Sequence, residues 1–165
     1  MSRAVSKQVW SDQNVLTGEV LSGREFSQVH GNNPFDYYGN IKEWEESLHP
    51  EDRDAVLEAH QRCLSQGIAF CMEYRKYTNS GSLVWVSSIA EVIEWSSSNE
   101  PLRVIGMHTD ITQMKEYQGE LERIANYDSL TNLPNRALLA DRLNQAMLQS
   151  QRRQRSIAVA FMDLD

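Results

Sequence analysis

The sequence predicts an α+β fold: a five-stranded antiparallel sheet with short helices on one face, followed by a C-terminal helix. Three observations predict it. Phe70 to Tyr77, Leu83 to Trp95 and Leu102 to Thr109 are runs rich in aromatic and β-branched residues, joined by the turn sequences Asn79-Ser80-Gly81-Ser82 and Ser96 to Pro101. Strands with such short connections pair antiparallel, so these form a meander. Val9 to Leu21 reads as a hairpin, with a strand around Trp10, a turn at Thr17 and Gly18, and a short strand at Glu19 to Leu21. Helical spacing lies between hairpin and meander and returns after it, which layers helices on one sheet.

The elements follow in order. Ser22 to Ser47 is punctuated by Gly23, Gly31, Pro34 and Gly39 and carries Phe26, Phe35, Tyr37, Tyr38 and Trp44. Short helical turns suit it better than long elements. A well-marked helix then opens at Pro50, with Glu51 and Asp52 at its positive end, and closes at Gly67 as a left-handed cap. Val56, Leu57, His60, Cys63 and Leu64 fall on one face, the face expected to pack on the sheet. Thr112 to Asn126 is helical again, with Ile111, Met114, Leu121 and Ala125 near a and d positions and Gln118 interrupting. Asp110 followed by Gln113 resembles a capping box. A further helix starts near Pro134 and runs through Leu139, Leu143, Ala146 and Met147. The apolar run Ile157 to Met162 after it suits a strand buried on both faces.

Composition bounds the function classes. The chain has 165 residues, 41% hydrophobic and 24% charged, which is the make-up of a globular protein with room for one ordinary domain and a remnant. A net charge of -7 argues against nucleic acid and against an anionic membrane surface as partners. Arg152, Arg153 and Arg155 form the basic cluster, at a predicted helix end where cations complement the dipole. No run approaches the roughly 20 apolar residues of a membrane span, and no signal-peptide pattern opens the chain, so a cytoplasmic location is expected. A longer parent is still free to be membrane-attached elsewhere. Cys63 and Cys71 lack metal or disulfide spacing and read as reduced, buried small residues.

Several segments carry a family resemblance. His49-Pro50-Glu51-Asp52-Arg53, Glu73-Tyr74-Arg75, Gly81 leading to Trp85-Val86, and Gly106 leading to Asp110-Ile111-Thr112 together resemble the PAS (sensory box, PAC-containing) family, in its order and at its spacing. Asp128-Ser129-Leu130-Thr131-Asn132-Leu133-Pro134-Asn135-Arg136, followed by Phe161-Met162-Asp163-Leu164-Asp165, looks like the start of a GGDEF (diguanylate cyclase) domain. The Asp-Leu-Asp version leans toward parents that also carry an EAL phosphodiesterase domain. The resulting organisation is a PAS sensor over 5–112, a linking helix over 113–127 and an incomplete GGDEF segment over 128–165.

The resemblance implies sites. Asp163 occupies the first Mg²⁺-ligand position of the intact GGDEF domain, where two GTP molecules are joined. The phosphate-contacting and guanine-binding residues and the GGDEF hairpin lie downstream of the family's opening segment, so this chain is expected to have no cyclase activity and GTP to bind only in the intact parent. In the PAS part, alternation puts Val104, Gly106, His108 and Asp110 toward the ligand pocket, with His108 where flavin-binding relatives place a contacting polar residue. His60, on the apolar helix face, is also expected at the ligand pocket; a lone helical His reads more readily as core than as a haem ligand. No stretch resembles the Asn-Cys-Arg-Phe-Leu-Gln segment of photoactive flavin domains, which argues against blue-light sensing. The expectation is a small organic ligand or none. Asp110, Ile111 and Thr112 tie the last strand to the exit helix and are expected to couple sensor to output, with both polar side chains capping that helix. Met114, Leu121 and Ala125 are expected to face a partner in a homodimer.

The function expected is a sensory and dimerising PAS module of a bacterial protein that regulates cyclic di-GMP synthesis. Two alternatives stay open: an interaction module with an empty pocket, and a residual GTP-binding fragment acting through Asp163 and Asp165.

Overall fold

The computed structural model of the chain describes residues 8–22 and 40–160. The chain divides into two compact units, Met1–Lys115 and Glu116–Asp165.

The first unit is built on one sheet. Strands β1 (Gln8–Asn14), β2 (Val20–Ser22), β3 (Phe70–Tyr77), β4 (Leu83–Trp95) and β5 (Pro101–Asp110) are ordered β2-β1-β5-β4-β3. Every pairing is antiparallel. The hairpin therefore docks on the meander through β1 and β5, the one non-local pairing in the sheet. Gly18 at φ 73° and Gly81 at φ 82° occupy the left-handed conformation that their tight turns require.

Helix α1 (Ile41–Ser47) starts at Asn40, whose side chain accepts from the Lys42 N–H at 2.9 Å. Helix α2 (Pro50–Gln66) has Pro50 in its first turn, acidic Glu51 and Asp52 beside it, and Gly67 at φ 68° closing it. Both ends agree with the sequence expectation. Val56 and Cys63 of α2 are fully buried against Phe70, Tyr74, Val84, Val86, Ala90 and Val104 of the sheet, with Leu57 and Leu64 packed at the edge. Cys71 departs from expectation. It is exposed, because strand alternation that turns Phe70 and Tyr74 inward turns Cys71 outward. The reverse face of the sheet stays open, with Trp10, Met107 and Ile89 side by side in one cross-strand row.

Helix α3 (Thr112–Asn126) leaves β5 at the expected residue. Ile111 is buried and belongs to the sheet domain, so it does not share the exposed stripe of Met114, Tyr117, Leu121 and Ile124. Ala125 is exposed and flanks that stripe.

In the second unit, helix α4 (Arg136–Arg153) starts at Asn135, whose side chain accepts from the Leu138 N–H at 3.0 Å. Asp128 Oδ1 accepts from the Thr131 N–H at 2.9 Å and its hydroxyl at 2.8 Å, and Asn135 Nδ2 donates to Ala125 O at 2.8 Å. The polar residues of the Asp128–Arg136 motif thus fold the turn that joins the two helices. The strand expected from Ile157 onward is not formed over residues 155–160, where Ile157 and Val159 are exposed. A strand buried on both faces needs a neighbour on each side, and none pairs with it among the described residues. The helical turns expected over Ser22 to Ser47 lie outside the described residues except for α1, as do Asp163 and Asp165.

Candidate functional site

Between the sheet and helices α1 and α2 lies a cavity of about 90 Å³. Alternation decides which strand residues reach it. Strand β1 contributes Val9, Ser11 and Gln13; β3 contributes Phe70, Tyr74 and Lys76; β4 contributes Val86 and Ala90; β5 contributes Val104 and His108. Trp44 of α1 and His60 of α2 close the helical side. The Ile41 N–H, donating to the Gly18 carbonyl at 3.0 Å, fixes α1 to the hairpin turn and so positions Trp44.

A continuous hydrogen-bonded chain crosses the cavity wall. Trp44 Nε1 donates to Tyr74 Oη at 3.0 Å, Tyr74 Oη meets Ser88 Oγ at 3.0 Å, Ser88 Oγ meets His108 Nδ1 at 2.8 Å, and His108 Nε2 meets Ser11 Oγ at 2.8 Å. Five elements, α1, β3, β4, β5 and β1, are thereby tied through side chains. The register explains the central link, since Ser88 and His108 are direct cross-strand partners on β4 and β5. Burial, with a further contribution from the Lys76 charge, pushes the His108 imidazole down to about 4, so it is neutral at pH 7. Burial likewise raises the Tyr74 hydroxyl and lowers His60.

Of the residues expected in the pocket, His108, Val104 and His60 line it. The His60 ring packs on Trp44, with centroids 5.2 Å apart, and meets Phe70 edge-on at 6.3 Å. Gly106 is buried just behind the lining. A Cβ there would stand 2.9 Å from Ser11 Oγ, 3.1 Å from His108 Nε2 and 3.2 Å from Ala90 Cβ. Asp110 sits beyond the cavity, where the sheet meets α3.

That junction is compact. Asp110 Oδ1 accepts from the Thr112 N–H at 2.9 Å. Thr112 does not cap its own helix as expected; its hydroxyl accepts from the Trp85 N–H of β4 at 2.9 Å. The Ile111 N–H donates to the Trp85 carbonyl at 3.0 Å. Lys115 pairs with Glu73 at 2.7 Å and lies over the Trp85 ring, while Arg75 covers Trp85 at 5.6 Å. Arg75 is itself held by Asp52, which accepts from its backbone N–H and from its guanidinium at 2.8, 2.9 and 2.6 Å. The start of α3 is therefore anchored to β3, β4 and β5, four residues along from His108.

Sequence reasoning missed Lys76, Tyr74, Ser88, Ser11 and Trp44. A signal existed for Lys76: it shares strand parity with Phe70 and Tyr74, which puts a cation on the buried face.

Comparison with known proteins agrees with this architecture. The PAS fold family model matches residues 20–108, and the diguanylate cyclase GGDEF domain model matches residues 125–165. The chain belongs to the PAS family, with a GGDEF segment following. A sensory box histidine kinase/response regulator from Burkholderia thailandensis is similar in structure, at 30% identity and TM-score 0.58, over 71% of this chain and 86% of that one. A bifunctional diguanylate cyclase/cyclic di-GMP phosphodiesterase of Pseudomonas aeruginosa is 52% identical over 54 residues, 33% of this chain and 8% of its own length. A diguanylate cyclase of Vibrio cholerae is 28% identical over 119 residues, 72% of this chain and 37% of its own length. The chain thus spans well under half of either curated relative. Among the described residues no helix is long and apolar enough to cross a membrane, and no cluster of His, Cys, Asp and Glu suits a metal ion.

Proposed function

We propose that this chain is the sensory and dimerising module of a cytoplasmic signalling protein, in which the state of the cavity regulates cyclic di-GMP synthesis by a GGDEF domain. The observation that carries this reading is the junction at Thr112, whose hydroxyl holds the Trp85 N–H of β4 while its own N–H is held by Asp110 of β5. Movement of either strand is passed to the first turn of α3, because the two bonds leave that turn no independent position. His108 and Asp110 share β5, which links cavity to junction.

Dimerisation is supported by the stripe of Met114, Tyr117, Leu121 and Ile124 on α3, all exposed and spaced by three, four and three residues. That is the a/d spacing of a two-helix seam, and a second copy of α3 is its natural partner. The chain itself is read as having no cyclase activity, with Mg²⁺ and GTP handled by the intact domain of the parent. Packing of His60 between Trp44 and Phe70 supports a core role for it, without flavin or haem.

The test is Asp110→Ala in a full-length parent. The sheet should stay folded by circular dichroism while cyclic di-GMP production becomes insensitive to the condition that regulates it. Unchanged regulation in the substituted parent would refute the coupling.

A further inference from the structure

The polar side chains around the cavity are already engaged. Ser11, Trp44, Tyr74 and His108 are bonded to one another or to Ser88 at 2.8 to 3.0 Å. Lys76 likewise has an interaction partner, and among the described residues no buried side-chain nitrogen or oxygen lacks a hydrogen-bond partner. Burial, together with the Lys76 charge, holds the His108 imidazole at about 4, and burial lowers His60, so both rings are neutral at pH 7. No Asp or Glu is among the described residues lining the space.

What the wall still offers is apolar surface. Val9, Ile41, Val86, Ala90 and Val104 present aliphatic groups. The Trp44 ring gathers His60, Phe70 and Tyr74 around it at centroid distances of 5.2, 6.4 and 6.3 Å, tilted or edge-on, so the rings hold one another in place. The volume of about 90 Å³ exceeds the about 10–15 Å³ of one enclosed water and falls short of the about 150 Å³ of an apolar cavity that holds benzene, which sets an occupant at about five heavy atoms or fewer.

We infer that the cavity takes a small neutral apolar molecule, packed on Trp44, Val86 and Val104 and recognised by shape and exclusion of water. An anion would shed its hydration shell without finding an unpaired donor, and a cation would find no carboxylate among the described residues of the wall. A neutral polar molecule would lose its bonds to water and have to displace bonds already made. An apolar molecule loses nothing on entry and gains contact with the aliphatic and ring surface. As the ligand of the sensory site, it rests on the reading of the cavity proposed above.

The experiment compares thiophene with pyrazole, propionate and tetramethylammonium, which have the same number of heavy atoms, on the whole chain at pH 7 by NMR titration and thermal denaturation. Thiophene should bind saturably, shift the Trp44 indole and His60 ring resonances and raise Tm, at least tenfold more tightly than any of the other three. Val104→Phe, which puts a ring into the space, should weaken thiophene at least tenfold. No binding of thiophene, binding of pyrazole or of either ion as tight as that of thiophene, or undiminished thiophene binding in a folded Val104→Phe would overturn the inference. Where Val104→Phe fails to fold, the comparison of the four ligands and the two ring resonances decide. Any of these failures leaves the Asp110→Ala coupling test standing, and failure of that test leaves the order of the four affinities unchanged, so the two readings fail separately.

Discussion

Replacing Tyr74 by Phe removes one oxygen from the middle of the chain that links α1, β3, β4, β5 and β1. The ring remains, so its edge contacts with Trp44 and Phe70, at centroid distances of 6.3 and 6.2 Å, are retained and no cavity opens. What changes is hydrogen bonding. The Trp44 indole loses its acceptor, and Ser88, fully buried, loses one hydroxyl partner while keeping His108. A buried polar group left unmatched costs about 1–3 kcal/mol. Trp44 is only half-buried and Ser88 keeps one partner, so the sum should be about 2 kcal/mol. Urea denaturation followed by tryptophan fluorescence suits the measurement, because Trp10, Trp44, Trp85 and Trp95 all belong to the sheet unit. With a slope of about 2 kcal/mol per M, the midpoint should fall by about 1 M at unchanged slope. A loss below about 0.5 kcal/mol would mean the chain of bonds does not form as described.

Two further outcomes are expected. His108 holds its proton less tightly folded, at about 4, than its ordinary 6.5, so the unfolded state binds more protons between those values and stability falls as pH drops through that window. The loss, up to about 3 kcal/mol, should show as a pH-dependent urea midpoint that flattens in His108→Asn; an equal slope in the variant would contradict it. Asp52 titrates below its usual range because Arg75 hydrogen-bonds to it, so its contribution is present above about pH 4 and fades below. Asp52→Ala should cost about 1–3 kcal/mol at pH 7 in the same assay and less as the pH falls below about 4, whereas a cost that does not change with pH would contradict the ion-pair account.

Much of the fold was legible because its signals are local. Strand alternation set β3 and β4 to the residue, and Pro50, Gly67 and the Asp110–Thr112 sequence marked helix ends whose backbone demands only those residues meet cheaply. The pocket was half legible. Parity along β5 placed Val104 and His108 at its wall, but Ser11, Tyr74 and Trp44 come from three other elements and converge only through register and helix docking. Thr112 illustrates the limit: its hydroxyl was expected to cap α3, yet it accepts from the Trp85 N–H, which depends on β4 lying alongside. Ile157 to Ala160 shows the converse, since an apolar run signals burial without supplying the neighbours that provide it.

The central claim, that a change at the cavity reaches α3 through β5, is tested most directly by hydrogen exchange in Gly106→Ala. The added Cβ crowds Ser11 and His108 but touches nothing at the junction. A local loss of about 1 kcal/mol corresponds to about fivefold faster exchange, and that acceleration should extend to the amides of Trp85, Ile111 and Thr112. Faster exchange confined to β1 and the middle of β5, with those three amides unchanged, would contradict the claim.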